Sequence, residues 1–183
     1  QRLYDVNRAN YATVANANGI SGNNVSGRRS LYVLQDRIVN TQRFNFNTVL
    51  NTQFSDFIDF TAGLSHQIQR NHYYLRVDDL LGGDFFVNVN QFAERDFPAD
   101  NGSNQFDLNN PNRILQKGDK YGYDYNINIT RSAAWAQGVF KFSKLDLFLA
   151  GTASQTAFYR QGNTRHGLFP DNSFGKGTVN SFF

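Results

Sequence analysis

The chain has 183 residues, a formal net charge of +3 and a sequence pI of about 9.2, with its charges scattered rather than gathered, so no nucleic-acid-binding stripe is written into it. It has no Cys, which excludes a disulfide framework or a Cys-based zinc site. Aromatics make up 15% of the residues, 18 of them Phe, and the chain holds 23 Asn and 12 Gln at a mean hydropathy of −0.53. That mixture suits a sheet with one aromatic and one amide-rich face better than an aliphatic core.

No run of eighteen apolar residues occurs, so no membrane-spanning helix is expected. Barrel strands need only about 9–11 residues of weak alternation, and they remain open. The chain opens at Gln1 without a charged and apolar leader, so it is expected to be processed or an excerpt of a longer protein.

Residues 1–28, with "NRANYATVANANGISGNNVSGRR", show no period and are predicted as a loop. A first long strand is predicted over about 30–54. Within it Phe44, Phe46, Thr48, Leu50, Thr52 and Phe54 alternate with Arg43, Asn45, Asn47, Asn51 and Gln53. Period-two alternation is the pattern of a strand with two different faces. A tight reversal at Ser55-Asp56 leads into a second strand over about 57–75, whose phase is Ile58, Phe60, Ala62, Leu64 and Ile68. Keeping that phase on the side of Phe54 requires a loop of odd length such as Ser55-Asp56-Phe57.

Residues 76–120 form an insert too long for an ordinary connection and are predicted as an elaborated loop. A third strand follows over about 121–142, a second reversal at Ser143-Lys144, and a fourth strand over about 145–159. The apolar phase shifts along the third strand. Tyr121, Tyr123, Tyr125, Ile127 and Ile129 oppose Asp124, Asn126, Asn128 and Thr130, which points to a bulge near Arg131-Ser132 or to a segment beyond the bilayer. Residues 160–183 are predicted as loop. Both tight turns thus fall at one end and the long loops 1–28, 76–120 and 160–183 at the other, the asymmetry of outer-membrane barrels. Phe54, Phe57, Phe140 and Phe142 near the turns, and Tyr73, Tyr74, Tyr121 and Tyr123 at the far end, are the expected aromatic girdles.

The phrases "YYLRVDDLLGGDFFVNVNQFAERDF", "DLNNPNRILQKGDKYGYDYNINI" and "FYRQGNTRHGLFPDNSFGKG" resemble the barrel of TonB-dependent outer-membrane receptors of the Bacteroidetes type, the carboxypeptidase-regulatory-like group. The resemblance covers about residues 3–178. It implies an all-β fold: an antiparallel transmembrane β-barrel segment of about four long strands, a middle slice of a 22-stranded barrel in the outer membrane of a Gram-negative bacterium. It also implies active import of a ligand too large for porins, with outer-membrane lipid, the plug domain, the remaining barrel, TonB and a surface lipoprotein as partners. The plug and the TonB-contacting segment have no counterpart in these residues. Two other readings are a passive or structural barrel of a surface or secretion complex, and a soluble β-sandwich that binds carbohydrate.

The candidate ligand-binding residues are the mouth aromatics and arginines Tyr73, Tyr74, Phe85, Phe86, Tyr159, Arg160 and Arg165. Aromatic faces stack on ligands and guanidinium forks bind anions. No enzyme activity and no cofactor or metal is expected. Asp78, Asp79 and Asp84 lack the spacing of a calcium loop, and "GGDFFV" is not a phosphate loop. His66, His72 and His166 lie far apart, and Ser65 beside His66 points to the opposite face of the strand. In the strands, the Phe44–Phe54 face is assigned to lipid and the Asn45–Gln53 face to a wet lumen, with Val49 and His66 as exceptions.

Overall fold

The structure is a computed structural model describing residues 2–100 and 102–182, and Gln1, Asn101 and Phe183 lie outside them. Four long strands dominate: β3 (Leu34–Ser55), β4 (Ile58–Asp79), β7 (Lys120–Phe142) and β8 (Leu145–Gly162). With β9 (Gly175–Phe182) they form one five-stranded sheet in the order β3-β4-β7-β8-β9. The chain is mostly strand in antiparallel sheets, and the five strands do not close on themselves. β9 is a correction to the expectation of loop over 160–183; its Gly175, Gly177 and Asn180 gave no strand signal.

The smaller elements are α1 (Arg2–Ala9), β1 (Tyr11–Val14), a 3-10 turn (Ala17–Gly19), β2 (Val25–Arg28), β5 (Phe86–Val87), α2 (Gln91–Asp96) and β6 (Ile114–Leu115). The chain divides into two compact units. Unit 1 holds residues 2–40, 72–126 and 161–176; unit 2 holds 41–71, 127–160 and 177–182.

Unit 1 corrects the expectation of a plain loop over 1–28. Helix α1 has no apolar stripe to announce it; a single buried side chain anchors it. The Asn7 amide donates to the carbonyls of Tyr32 (2.7 Å), Leu80 (2.9 Å) and Leu81 (3.2 Å), and its oxygen accepts from the N–H groups of Leu31 and Tyr32. β1 and β2 then form a hairpin from Tyr11↔Arg28 to Val14↔Val25. In the insert, β5 pairs with β6 through Phe86↔Leu115 and Val87↔Ile114, which closes off residues 88–113. Alternation across β5 sends neighbouring phenylalanines to different cores. Phe86 packs with Val77, Leu115 and Tyr121, while Phe85 packs with Val87, Val89, Val14 and Val25.

Unit 2 is one layer of sheet with two chemically distinct faces. The contacts Phe54–Phe60 (ring centroids 5.7 Å), Thr41–Asn71 (2.9 Å) and Arg43–Gln69 (2.8 Å) each join residues of equal parity on β3 and β4. The phase therefore survives the turn, as a loop of odd length at Ser55-Asp56-Phe57 requires, with Asp56 and Phe57 as its turn residues. On the odd face the Thr41 hydroxyl donates to Asn71, the Gln69 amide donates to Asn71, and Gln67 and Arg43 donate to Gln69. Lys141 and Asp59 pair at 2.6 Å on the same face. The even face carries Phe44, Phe46, Leu50, Phe54, Leu64 and Ile68, all exposed. Every buried hydrophobic side chain among the described residues belongs to unit 1.

The bulge expected near Arg131-Ser132 is not there. His72–Asp124 (2.7 Å) and His66–Ser132 (2.9 Å) are both even-to-even contacts, so β7 keeps its frame past that point. The irregularity lies at Gly122, whose φ of 64° is left-handed and whose N–H goes to the Asn88 side chain at 3.0 Å. Of the expected upper girdle, Tyr121 is instead a core residue, edge-on to Phe86 and bonded through its hydroxyl to Gln35.

Trp135, the sole tryptophan, lies over Gly63 on the odd face. A Cβ at Gly63 would stand 2.4 Å from the indole Nε1, nearer than side chains approach. Gly63→Val is therefore expected to displace the indole, red-shifting the emission of the only tryptophan in these 183 residues, at an overpacking cost of about 1–3 kcal/mol. An unshifted spectrum would show that the indole does not rest there.

Candidate functional site

The structure disperses the residues singled out for ligand binding. Phe85 and Phe86 are 3% and 5% exposed and belong to the two cores, so neither is a mouth aromatic. Tyr159 and Arg160 are not in a loop, because β8 runs on to Gly162, and they fall in unit 2. Tyr73 stacks on Tyr125 at 5.1 Å and 15°. Tyr74 points to the other face, against the His72 ring (4.7 Å) and under the Lys120 ammonium (4.4 Å), a cation–π contact. Arg165 is exposed in the last loop. Its N–H bonds Asp107 (3.1 Å), its carbonyl accepts from the Leu108 N–H (2.7 Å), and its Nε bonds the Pro170 carbonyl (3.3 Å).

The acidic stretch is spent on protein donors. Asp84 takes both the side chain and the backbone N–H of Arg28, and this holds its carboxyl well below the usual range, at about 2. The pair contributes above the ordinary carboxylate pKa of about 4 and is lost as pH falls toward 2. Asp79 accepts from the Leu81 N–H, and Asp78 faces Lys117 at 3.6 Å. Among the described residues no group of His, Asp and Glu is placed to hold a metal ion.

The histidines hold structure together. His66 meets Ser132 from the neighbouring strand, not Ser65, which gives an otherwise apolar face a satisfied polar pair. His72 bonds Asp124, which also accepts from the Asn163 side chain (2.6 Å) and faces Lys120 (3.4 Å). His166 sits between Phe106 and Phe169, and its Nδ1 accepts from the Leu168 N–H at 3.1 Å.

Burial lowers the His166 pKa, so the unfolded chain binds the proton more readily. Stability from this ring is complete above about 6.5 and falls as pH drops toward the folded value. Hydrogen-exchange protection of the Gly167 and Leu168 amides is expected to weaken between about pH 7 and 5. His166→Phe, which keeps the ring contacts, should flatten that dependence. An equal pH response in the variant would assign it elsewhere.

What the sequence did not reveal is a polar cavity of about 580 Å³ inside unit 1, walled by Thr13, Asn16, Arg29, Glu94, Asn104 and Asn112 among others. Each wall is positioned by local chemistry. Asn90 caps α2 by accepting from the Phe92 and Ala93 N–H groups, which orients the helix that carries Glu94. Arg29 forks onto Glu94 at 3.0 and 2.7 Å. Gln105, 2% exposed, donates to the side-chain oxygens of Asn104 (2.8 Å) and Asn112 (2.9 Å) and accepts from the Asn112 N–H (2.8 Å). Asn112, at φ 51°, in turn bonds the Ala15 carbonyl at 3.1 Å. The asparagines that looked like loop filler are the hinges of this cavity. A second hollow, of about 660 Å³, lies on the unit 2 sheet where Ala62, Gly63, Ala134, Ala136, Gly151 and Ala153 leave room beside larger neighbours.

Compared with known protein families, with curated proteins and with solved structures, the chain matches none.

Proposed function

We propose that these residues form an arc of wall and outer loops in a TonB-dependent outer-membrane receptor that imports a ligand too large for porins. The observation that carries the reading is unit 2: a single sheet layer with an exposed apolar face, a hydrogen-bonded amide face, and, among its described side chains, no buried hydrophobic one. A water-soluble sheet hides its apolar face under a second layer. A barrel strand turns that face to lipid and the polar one to the lumen. The stretches 41–54, 58–71, 127–142 and 145–160 exceed the roughly 9–11 residues that span a bilayer at a tilt.

The sheet edges agree. Among the described residues β3 has no partner beyond β4, and a 22-residue open edge is a template for further pairing. In lipid such an edge must be closed by further strands. Lipid, the rest of the barrel, a plug and TonB are the partners this reading requires, and a surface lipoprotein over the outer loops is a further one.

Deleting the gene and depleting TonB should remove the same solutes from those that cells draw from the medium, read by mass spectrometry of spent culture. A loss that is independent of TonB would leave a passive barrel. A chain that fractionates with soluble proteins would overturn the membrane reading altogether.

A further inference from the structure

We propose that residues 163–174 form an acid-released strap, and that its release loosens the wall of the unit 1 cavity through Gln105. Three hydrogen bonds seat the strap on the insert. The Arg165 N–H donates to the Asp107 carboxylate (3.1 Å), the Leu108 N–H to the Arg165 carbonyl (2.7 Å), and the Gly167 N–H to the Gln105 carbonyl (2.8 Å). The strap also closes on itself, because the His166 N–H donates to the Ser173 hydroxyl at 2.8 Å and the Phe169 N–H to the His166 carbonyl at 3.0 Å.

His166 is the part of this seat that titrates near neutral pH. Its ring stands between Phe106 on the insert (5.5 Å) and Phe169 on the strap (5.6 Å). Its Nδ1 accepts from the Leu168 N–H at 3.1 Å, which a ring protonated on both nitrogens cannot do. Protonation therefore cancels that bond and sets a charge against two phenyl rings. The charged groups on the packed segments do not offset this. Asp107 is engaged by the Asn109 and Arg165 N–H groups and the Asn110 amide, and Asp100 by Gly102 and Ser103. Arg165 and Asp171 are the strap's own charges, and burial is the sole cause of the lowered ring pKa. The docked strap thus favours the neutral ring, and its seat weakens as pH falls below the ordinary histidine value of about 6.5.

Gln105 belongs to both structures. Its carbonyl holds the strap, while its side chain donates to the Asn104 and Asn112 oxygens and accepts from the Asn112 N–H. The Asn104 carbonyl accepts in turn from the N–H of Asn90, the cap of the helix that carries Glu94. Undocking removes the Gly167 bond and the His166 ring from residues 105 and 106, the stretch that braces the cavity wall. A wall held by so few residues opens as a local unit rather than with the whole fold.

The test is hydrogen exchange at single amides of the native protein in detergent, expressed as protection relative to the intrinsic rate at each pH. From pH 7 to pH 5 the Gly167 and Asn112 amides should lose protection together, by about two- to tenfold, the equivalent of one hydrogen bond. The Ser30 amide, bonded to the Phe85 carbonyl in the same unit, should hold. His166→Phe keeps the ring contacts and His166→Asn keeps an acceptor; neither titrates, so each should flatten both responses. Gly167→Val, which undocks the strap without acid, should already expose the Asn112 amide at pH 7.

An Asn112 amide that stays protected while Gly167 opens would overturn the coupling. An undiminished acid response in both His166 variants would overturn the trigger, and loss at Ser30 alongside would make the event unfolding of the unit. These readouts concern unit 1 alone, so their failure would leave the transport reading standing, and failure of transport would leave the strap standing.

Discussion

Leu64→Lys is expected to keep the protein from assembling in the outer membrane, whereas Asn45→Lys is expected to be tolerated. Leu64 lies midway along the unit 2 segment of β4, on the even face with Phe46 and Ile68, and is 56% exposed. If that face meets hydrocarbon, a lysine there costs about 2–4 kcal/mol near the midplane. Set against a net stability of about 5–15 kcal/mol, that is enough to shift assembly measurably. Asn45 shares the parity of Arg43 and Asn51, on the face with the amide ladder, where an added ammonium stays hydrated. The measurement is the folded fraction in outer membranes by heat-modifiable gel migration. Equal tolerance at both positions would mean that the even face does not touch lipid.

The second large effect is expected at Gly167. A Cβ there would stand 2.0 Å from the Gly102 carbonyl oxygen and 2.9 Å from that of Ser103. Both are backbone atoms that no rotamer change can move aside. The glycine N–H meanwhile donates to the Gln105 carbonyl at 2.8 Å, tying the last loop to the residue that braces the cavity. Gly167→Val should therefore undock residues 163–174 from the insert, at or above the upper end of the roughly 1–3 kcal/mol of ordinary overpacking. Limited proteolysis would read this as rapid cleavage within 163–174 while β3 and β4 stay intact. An uncut loop in the variant would show that the loop has another seat.

The four long strands and their two turns were legible because alternation with period two holds over a dozen residues and because the turns are short. The face assignment followed from the same pattern. Its exception His66 resolves into a pair with Ser132, a residue 66 positions away that no local pattern connects to it. Beyond the strands legibility ends, for identifiable reasons. Helix α1 is held by the five hydrogen bonds of Asn7 rather than by an apolar stripe, and five long-range bonds leave no period to read. The adjacent Phe85 and Phe86 looked like exposed loop aromatics because only tertiary pairing reveals that β5 has a core on each side. The cavity residues Asn16, Asn104 and Asn112 are turn formers by type, and their convergence depends on Gln105 and Arg29.

The claim on which most else rests is that the even face of unit 2 meets lipid and the odd face meets water. These 183 residues contain no cysteine, so a single cysteine can be placed at any of them and, with any cysteine elsewhere in the native protein replaced, spin-labelled in bilayers. Labels at positions 44, 46, 50 and 64 should relax with oxygen, which concentrates in hydrocarbon. Labels at 45, 47 and 51 should relax with a water-soluble nickel chelate. Strict alternation of the two responses along β3 is the result this account predicts. Access of the nickel chelate to 44, 46 and 50 as well, or oxygen at 45, 47 and 51 instead, would contradict it.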